Sequence, residues 1–228
     1  MAAIVFSTLT ASELCPPPAE IHYRSAQFPL LIRPIEVSDA CAVQEAIAIS
    51  LADLLPFMAW AHNPMTLSEQ RDRIATLRSQ PLPQGEYQLG VFHESDGTLL
   101  MSAALKSSGE HNSKALSIGY WTTSPYANQG LAQLVTKILT IVAIDHMGSD
   151  RIQIGCNREN SVSRHVIEKC GFRLEGEHRN YFREASPRWI RNGYNPCRSA
   201  LLYSLLPEEV EALPWAQEIA QRLYLIYD

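Results

Sequence analysis

A change of hydrophobic period near residue 124 constrains most strongly how this chain can fold. Leu116–Thr123 is predicted as a strand rich in aromatic residues and threonine, and Pro125 follows it. Beyond Pro125 the apolar residues recur at helical spacing, at Leu131, Leu134, Val135, Ile138, Leu139 and Val142. Gly148 is the predicted end of this helix. The junction of a strand, a short loop and a long amphipathic helix predicts a mixed α/β fold.

The rest of the chain continues this mixed order, with a largely antiparallel beginning. Strands are predicted at Ile21–Ser25, Pro29–Glu36, Tyr87–Phe92, Leu99–Leu105, Arg151–Cys156, Phe172–Glu177 and Ala200–Leu206. Helices are predicted after Asp39 and at Leu67–Arg78, Ser161–Lys169 and Pro207–Leu223, and residues 184–198 are predicted as a loop.

Length and composition predict one domain with an additional segment at each end. The chain has 228 residues, more than the roughly 150 of a typical domain and fewer than two of them. Residues 1–20, which end near three consecutive prolines, are predicted as an N-terminal arm. Residues 21–228 then form a single domain, with a helical C-terminal extension from about residue 207.

Charge and residue usage exclude several classes of protein. The formal net charge is −5, so no basic excess supports a nucleic-acid partner. Nine arginines nevertheless lie between Arg151 and Arg198, either as a solvated, ion-paired face or as a local phosphate patch. The five cysteines form no C-x-x-C pair and the histidines no H-x-x-x-H pair, so neither a metal site nor a disulfide framework is expected.

The targeting signals in the sequence are equally sparse. No apolar run approaches the ~18 residues of a membrane span, so no membrane association is expected. The first residues are mildly apolar but lack the basic start of a signal peptide. A cytoplasmic setting is therefore expected.

The loop before the long helix is a candidate anion site. Unpaired N–H groups at a helix start, together with the positive end of the helix dipole, favour an anionic ligand. Gly130 and Ala132 are small, which allows a phosphate to approach the backbone. A second segment, residues 157–172, contains a helix cap at Asn160 and a helix stop at Gly171. Either segment alone also fits a purely structural role.

Together, the two segments resemble the Gcn5-related N-acetyltransferase (GNAT) superfamily. The first matches its acyl-coenzyme A loop, [Q/R]-x-x-G-x-[G/A], at Gly130 and Ala132. The second, from Asn160 through Ser163 to Phe172, resembles the branch of ribosomal-protein N-terminal alanine and serine acetyltransferases, the RimJ/RimL-like branch. Further likenesses are Leu31-Ile32-Arg33-Pro34, Ser50 followed by residues 54–60, Ile118-Gly119-Tyr120-Trp121 and Leu202-Tyr203-Ser204-Leu205-Leu206.

The resemblance covers roughly residues 28–210 and implies the GNAT fold. This is an α/β (α+β) fold whose mixed, mostly antiparallel central sheet is splayed at the acyl-CoA site and flanked by helices. It also implies acetyl-CoA as cosubstrate, without a metal, and direct transfer of the acetyl group to an amine.

Site residues follow from the resemblance position by position. The implied cosubstrate-binding residues are Trp121, Thr122, Thr123, Asn128, Gln129, Gly130, Leu131, Ala132, Asn160 and Ser163. The loop N–H groups would hold the pyrophosphate, while the strand end and the Asn160 amide would hold the pantetheine. An N–H at the strand end can polarise the acetyl carbonyl. Ser163 resembles the group that protonates the departing thiolate, a modest task because a thiol of pKa near 8.5 leaves readily.

Two positions depart from the family pattern. Ala127 stands where the loop usually has Arg or Gln, which should weaken phosphate binding without abolishing it. Ser117 stands where relatives often carry a glutamate as general base, so it joins Ser163 and Asn160 as a catalytic candidate, acting by water relay. The alternative is a base from another strand or loop, and the candidates there are Glu86, Glu94 and Glu110.

The absence of a base at residue 117 favours an α-amine as acceptor. An α-amine of pKa near 7.7–8.0 is roughly one-tenth neutral at pH 7, whereas a lysine amine of pKa near 10.4 is almost entirely charged. Trp60 and Tyr120 are the candidate acceptor-binding residues, although the aromatic segment around Trp60 also fits a core role. The acidic net charge would attract a basic protein tail modestly.

The preferred hypothesis is acetylation of a peptide or protein N-terminus, such as that of a ribosomal protein. One alternative is acetylation of a small amine: an aminoglycoside, a polyamine or an amino acid. Others are a non-catalytic acyl-CoA-binding sensor and an RNA- or ribosome-docking protein. A monomer and a homodimer fit the sequence equally well.

Overall fold

The alternating strand and helix patterns of the sequence fold into one sheet with helices on both faces. The computed structural model describes residues 14–25, 27–80, 82, 85–108 and 114–227. Its strands are β1 (Glu20–Tyr23), β2 (Leu30–Pro34), β3 (Glu86–His93), β4 (Leu99–Ser107), β5 (Leu116–Thr122), β6 (Ile152–Asn157), β7 (Arg173–His178), β8 (Ala200–Leu205) and β9 (Leu223–Ile226). Its α-helices are α1 (Ala40–Leu54), α2 (Leu67–Arg78), α3 (Leu131–Ile141), α4 (Ser161–Lys169), α5 (Pro187–Arg191), α6 (Pro207–Glu211) and α7 (Ala216–Arg222).

The sheet is mixed and mostly antiparallel, as predicted. Its strand order is β7-β8-β6-β5-β4-β3-β2-β1-β9. Every neighbouring pair is antiparallel except β5 and β6, which run parallel. The crossover between these two strands contains the long helix α3, as a parallel connection requires.

The parallel pair comes apart after two residues. Only Leu116 and Ser117 of β5 are in register with β6, opposite Ile152 and Gln153. Beyond them β5 continues to Thr122 and β6 to Asn157 without pairing to each other in the described structure. The predicted splay is thus confirmed, and it leaves a gap in the middle of the sheet.

Hydrophobic periodicity explains which helices pack on each face. The stripe of α3, including Leu131, Val135, Ile138 and Leu139, is buried against one face of the sheet, together with α4. Val43 of α1 packs on the other face with residues of α2 and the strands. The side chain of Thr66 accepts a hydrogen bond from the Glu69 N–H (3.3 Å) and thereby caps the start of α2. After Ile141 the long helix continues through one π-helical turn, Val142–His146, and it ends before Gly148 as predicted.

The C-terminal part differs from the prediction. A single helix over Pro207–Leu223 is wrong, because the structure has α6 and α7 separated near Pro214, whose ring cannot continue a helix. The chain then forms β9, which pairs with β1 at the edge of the sheet. Alternating large apolar and aromatic residues in Leu223–Ile226 favour a strand there.

Two smaller predictions concern loop regions. The predicted loop at 184–198 contains the short helix α5, capped by the Ser186 side chain, which accepts from the Trp189 N–H (3.2 Å). Residues 1–13 of the predicted arm lie outside the described residues. The Cys15 N–H donates to the Met147 carbonyl (2.8 Å), so the described end of the arm lies near the end of the long helix. No helix in the described part of the chain has both the length and the apolar character needed to cross a bilayer.

Candidate active site

A cavity of 520 Å³ connects the gap in the sheet with the face covered by α1 and α2. Residues of α1, the following aromatic segment and α2 line one side, and β3–β5 form its floor. At the gap its wall consists of Ile118, Gly119, Tyr120, Ile154, Gly155, Cys156, Asn157, Asn160 and Ser163. Two of the three catalytic candidates, Asn160 and Ser163, therefore lie on the same cavity as both acceptor candidates, Trp60 and Tyr120.

Strand geometry shows which backbone groups of β5 face the gap. The Leu116 N–H donates to Arg151 on the β6 side (3.0 Å), whereas the Thr123 N–H donates to Leu100 on the β4 side (3.0 Å). Because backbone groups alternate in direction along a strand, those of Tyr120 and Thr122 face the gap like those of Leu116. The gap therefore has a row of hydrogen-bonding groups without a strand partner.

The opposite edge of the gap has the same property. The Arg158 N–H donates to the Ser199 carbonyl (3.0 Å), so every second residue of β6 directs its backbone towards β8. Gly155 and Asn157 then direct theirs towards the gap. An extended molecule with amide groups, such as pantetheine, can pair with these edges as an added strand would.

The three residues predicted to bind the cosubstrate at the strand end, Trp121, Thr122 and Thr123, differ in the direction that their backbone groups face. Thr122 faces the gap with its backbone, whereas Trp121 faces β4 with its backbone and lines the cavity with its side chain. Thr123 is buried, and both of its donors are occupied: its N–H by Leu100 and its hydroxyl by the Leu99 carbonyl (3.2 Å). Thr123 therefore supports the strand end rather than contacting a ligand through its donors.

The predicted anion loop has the backbone shape of an anion site. Asn128 (φ 60°) and Gly130 (φ 81°) both adopt the left-handed conformation, which turns the chain sharply into α3. The first helical bond runs from the Leu134 N–H to the Gly130 carbonyl (3.0 Å), so the N–H groups of Leu131 and Ala132 have no partner within the helix. The Gln129 side chain donates to the Pro125 carbonyl (2.8 Å) and so stabilises the loop itself.

Helix α1 stabilises this loop through hydrogen bonds to the turn that precedes it. The buried Ser50 hydroxyl accepts a hydrogen bond from the Ser124 N–H (2.9 Å), and the Ser124 hydroxyl donates to the Asp53 carboxylate. Ser124 begins the turn that leads into the anion loop. The sequence analysis did not single out Asp53. Its spacing of three residues from Ser50, on one face of a helix, is the signal that would have found it.

Three candidate residues meet at the α4 side of the gap. The Asn160 Oδ1 accepts from the Ser163 N–H (3.0 Å) and caps α4, which orients the Ser163 side chain. The Ser163 Oγ lies 3.3 Å from the Tyr120 hydroxyl. Burial raises the pKa of Tyr120 well above its ordinary value, so its hydroxyl is protonated at neutral pH.

The neighbouring cysteines are unreactive. Burial raises the pKa of Cys156 to about 11 and that of Cys170 to about 12. Both thiols are therefore protonated at neutral pH and are poor nucleophiles. In the described part of the chain, no three His, Cys, Asp or Glu side chains are grouped as metal ligands.

The base candidates occupy different places. Glu86, Lys106 and Ser117 are directly opposite one another on β3, β4 and β5. Glu86 lines the cavity and pairs with Lys106 (Oε2–Nζ, 2.6 Å), whereas half-buried Ser117 lies at the closed end of the gap and is not part of the cavity wall. Glu94 is remote, since it contacts the Nδ1 of His22 (2.8 Å), and Glu110 lies outside the described residues.

The acceptor side of the cavity has an aromatic wall. Trp60 is 40% exposed, so it is not a core residue, and its ring lies 6.1 Å from that of Trp121. The turn containing Trp60 is held by buried His62, which bonds the Leu55 carbonyl through Nε2 (2.8 Å) and stacks on Trp189 of α5 (5.3 Å between ring centroids). The segment 184–198 thus supports the acceptor side.

Comparison with known proteins decides the family. Residues 29–173, more than half of the chain, match the family model described as "Acetyltransferase (GNAT) domain". This chain is a GNAT acetyltransferase. The resemblance inferred from the two sequence motifs is confirmed.

Two curated relatives of this GNAT chain are bacterial acetyltransferases from Bacillus subtilis (strain 168). One is named "Probable N-acetyltransferase YjcK" and is 26% identical over 151 residues, which cover 64% of this chain and 82% of the relative. The other is named "Putative ribosomal N-acetyltransferase YdaF" and is 28% identical over 152 residues, which cover 66% of this chain and 81% of the relative.

A solved structure shares the fold over nearly the whole chain. "Mycobacterium smegmatis RimJ in complex with CoA-disulfide" superposes with a TM-score of 0.72 at 19% identity. The match covers 94% of this GNAT chain and 100% of the other. The similarity therefore includes the terminal regions outside the family model.

Proposed function

We propose that this GNAT acetyltransferase transfers the acetyl group of acetyl-CoA directly to the free α-amine of a peptide or protein N-terminus. The observation that carries the proposal is the continuity of one cavity from the sheet gap to the aromatic acceptor wall. Donor and acceptor can therefore meet in one ternary complex, without a covalent enzyme intermediate.

The described geometry suits acetyl-CoA in two places. The unpaired N–H groups at the start of α3 suit its pyrophosphate, and the dipole of the helix adds to them. The open backbone edges of β5 and β6 suit the amides of pantetheine. Ala127 contributes no side-chain cation, so phosphate binding here rests on backbone donors.

In the transfer step, groups on both sides of the gap take part. The amine nitrogen forms a bond to the thioester carbonyl carbon, and the carbon–sulfur bond then breaks. A backbone N–H facing the gap stabilises the negative charge on the carbonyl oxygen. The thiolate that leaves takes its proton through Ser163, which Tyr120 supports by hydrogen bonding. The proton of the amine passes to water or to Glu86, the carboxylate on the cavity wall.

An α-amine suits this site better than a lysine side chain. The carboxylate of Glu86 on the cavity wall is already engaged by Lys106. An α-amine of pKa near 8 needs little help, because about one-tenth of it is neutral at pH 7. The name of the relative YdaF also supports a protein acceptor.

The cavity charges disfavour the polycationic alternatives. Arg73, Glu86 and Lys106 are the only charged residues on the described cavity wall, so its net charge is positive. A polyamine or aminoglycoside would bring several ammonium groups to this wall. The negative net charge of the whole chain is thus not repeated where the acceptor binds.

The arginine-rich segment supports the ion-paired alternative rather than an RNA surface. Four of its nine arginines contact carboxylates, in the pairs Arg151–Glu175, Arg158–Glu177, Arg164–Glu168 and Arg173–Glu209. Such pairs neutralise the charge that phosphate contacts would need.

The decisive experiment is mass spectrometry of a peptide panel incubated with the enzyme and acetyl-CoA. The panel contains peptides with free Ser, Ala or Met N-termini, α-blocked peptides with lysine, and small amines. Acetylation of free N-termini alone is expected. Acetylation of the blocked peptides or of polyamines would contradict the proposal, and no acetylation with cofactor binding intact would favour a sensor.

A further inference from the structure

The acceptor side of the cavity is lined by a polar side chain of α2 that no other described side chain engages. Gln70 of α2 is only 3% exposed and lines the cavity. Its backbone N–H donates to Thr66, but its side chain makes no hydrogen bond with any residue that the structure describes. The amide atoms of Gln70 are not among the fully enclosed side-chain atoms that lack a partner, so they open into the cavity and can contact a ligand there.

Arg73 stands one helical turn further along α2 and lines the same cavity. Its guanidinium is 3.5 Å from the Gln88 Oε1, at the limit of a hydrogen bond, and it forms no ion pair within the described structure. A guanidinium has five donors in a planar fork, and most of those of Arg73 are available. By contrast, the other cation on the wall, Lys106, is already paired with Glu86.

Sheet geometry gives the distance from the backbone beneath Arg73 to the strand that borders the gap. Gln88, beneath Arg73, lies in one row with Ala104 and Gly119, across two strand spacings. At about 4.8 Å per spacing, the gap is about 10 Å away. An extended peptide whose amine reaches the gap would bring its second or third residue to Arg73, at roughly 3.5 Å per residue.

Building on the proposed function, we propose that the acceptor carries a carboxylate at its second or third residue, and that Arg73 and Gln70 bind it. The guanidinium and a carboxylate match in a bidentate pair, and the Gln70 amide donates a further hydrogen bond. A free amino acid carries its carboxylate too close to its amine to span this distance. The favoured source of the carboxylate is therefore an acidic side chain near a peptide N-terminus.

The test measures kcat/KM for peptides that differ only in where one charge lies. Each has a free Ser N-terminus, with Asp at position 2, 3 or 7, with Asn at position 2 or 3, or with Lys at position 3. Free aspartate and its amide are included. The enzymes are the wild type, Arg73→Gln, Arg73→Glu and the control Arg71→Gln. Arg71 is exposed on the same helix and lies outside the cavity wall.

The wild type is expected to prefer Asp over Asn at position 2 or 3 by about tenfold, and to ignore Asp at position 7. Arg73→Gln abolishes this preference, Arg71→Gln keeps it, and Arg73→Glu shifts it to the Lys peptide. The shift shows a change in recognition that loss of folding cannot produce.

Equal rates for Asp and Asn peptides, or a preference that survives Arg73→Gln, would overturn the assignment while leaving N-terminal acetylation intact. Faster turnover of free aspartate than of any peptide would overturn the peptide as the source of the carboxylate. Failure to acetylate any peptide would refute the proposed function, and this inference with it.

Discussion

The Tyr120 hydroxyl lies 3.3 Å from the Ser163 hydroxyl, and the two residues come from opposite sides of the sheet gap. Tyr120 belongs to β5, whereas Ser163 belongs to the first turn of α4, which follows β6. In the proposed mechanism, the thioester would release its sulfur next to this contact. It also ties the position of Ser163 to a protonated phenol, which can donate to Ser163 while Ser163 donates to the thiolate.

Replacing either hydroxyl should slow the chemical step. Ser163→Ala and Tyr120→Phe are each expected to lower kcat by about 10- to 100-fold, near the lower end for general acid catalysis, because the thiolate is a good leaving group. The double variant should lose little more than Ser163→Ala, since both residues serve one proton. Steady-state kinetics with Ser161→Ala, an exposed serine of the same helix, as control measures this. Losses that multiply in the double variant would show independent roles.

Gly130 tests the backbone shape of the anion loop. Its φ of 81° is strained for other residues, while a Cβ there would meet no atom within 4 Å. Gly130→Ala should therefore cost about 1 kcal/mol through the backbone alone and raise KM for acetyl-CoA. Asn128→Gly, at a φ of 60°, is the matched control and should leave KM nearly unchanged. An unchanged KM in Gly130→Ala would mean that this loop does not hold the phosphates.

The loop and the long helix could be predicted from the sequence because their signals are local. The period change, the glycine at a helix start and the Asn160 cap each depend on a few neighbouring residues. The sequence motifs likewise brought Asn160 and Ser163 to one site, as the structure has them. Such signals indicate where a backbone turns and which side chains it presents.

Contacts between distant segments could not be predicted in the same way. The partner of Ser163 is 43 residues away, and the direction of the Thr123 donors depends on the register with β4. The C-terminal strand was missed because its pairing with β1 joins the two ends of the described chain. No local pattern encodes that pairing, whereas the helical spacing before it is visible in the sequence.

The hydrogen bonds between α1 and the turn before the anion loop predict an effect on the KM for acetyl-CoA. Asp53→Asn and Ser50→Ala each weaken the hold on Ser124. Both should raise KM for acetyl-CoA several-fold with a smaller change in kcat, because the loop loses its position while the α4 side is untouched. The matched control is Glu45→Gln, an exposed carboxylate of the same helix. A fall in kcat with constant KM would place the effect in the transfer step instead.

Base identity is tested by Glu86→Gln against Ser117→Ala. If Glu86 accepts the proton, its replacement should lower kcat/KM by about tenfold near pH 6.5 and less near pH 8.5, where much of the α-amine is already neutral. Ser117→Ala should change little, because Ser117 lies outside the cavity wall. A Ser117→Glu variant that gains activity at low pH would instead support a base from that position. The pH profile of kcat/KM for one free N-terminal peptide separates these outcomes.

His22 of β1 makes the contact between β1 and the turn after β3 dependent on pH. Its Nδ1 lies 2.8 Å from Glu94 and its Nε2 lies 3.0 Å from Glu20. Burial lowers the pKa of His22, but the two carboxylates outweigh this effect, so the pKa is raised above 6.5. Because the folded pKa exceeds the unfolded one, the cluster stabilises the fold fully below about pH 6.5 and loses this contribution as pH rises through the folded pKa.

His22→Gln should therefore lower the free energy of unfolding by up to about 1 kcal/mol at pH 5.5 and by less at pH 8.5. Urea unfolding at the two pH values measures the difference. His165→Gln, at an exposed histidine of α4 that forms no ion pair in the described structure, serves as the control. An equal loss at both pH values would mean that His22 contributes through packing against Tyr224 of β9, whose ring lies 6.0 Å away, rather than through its charge.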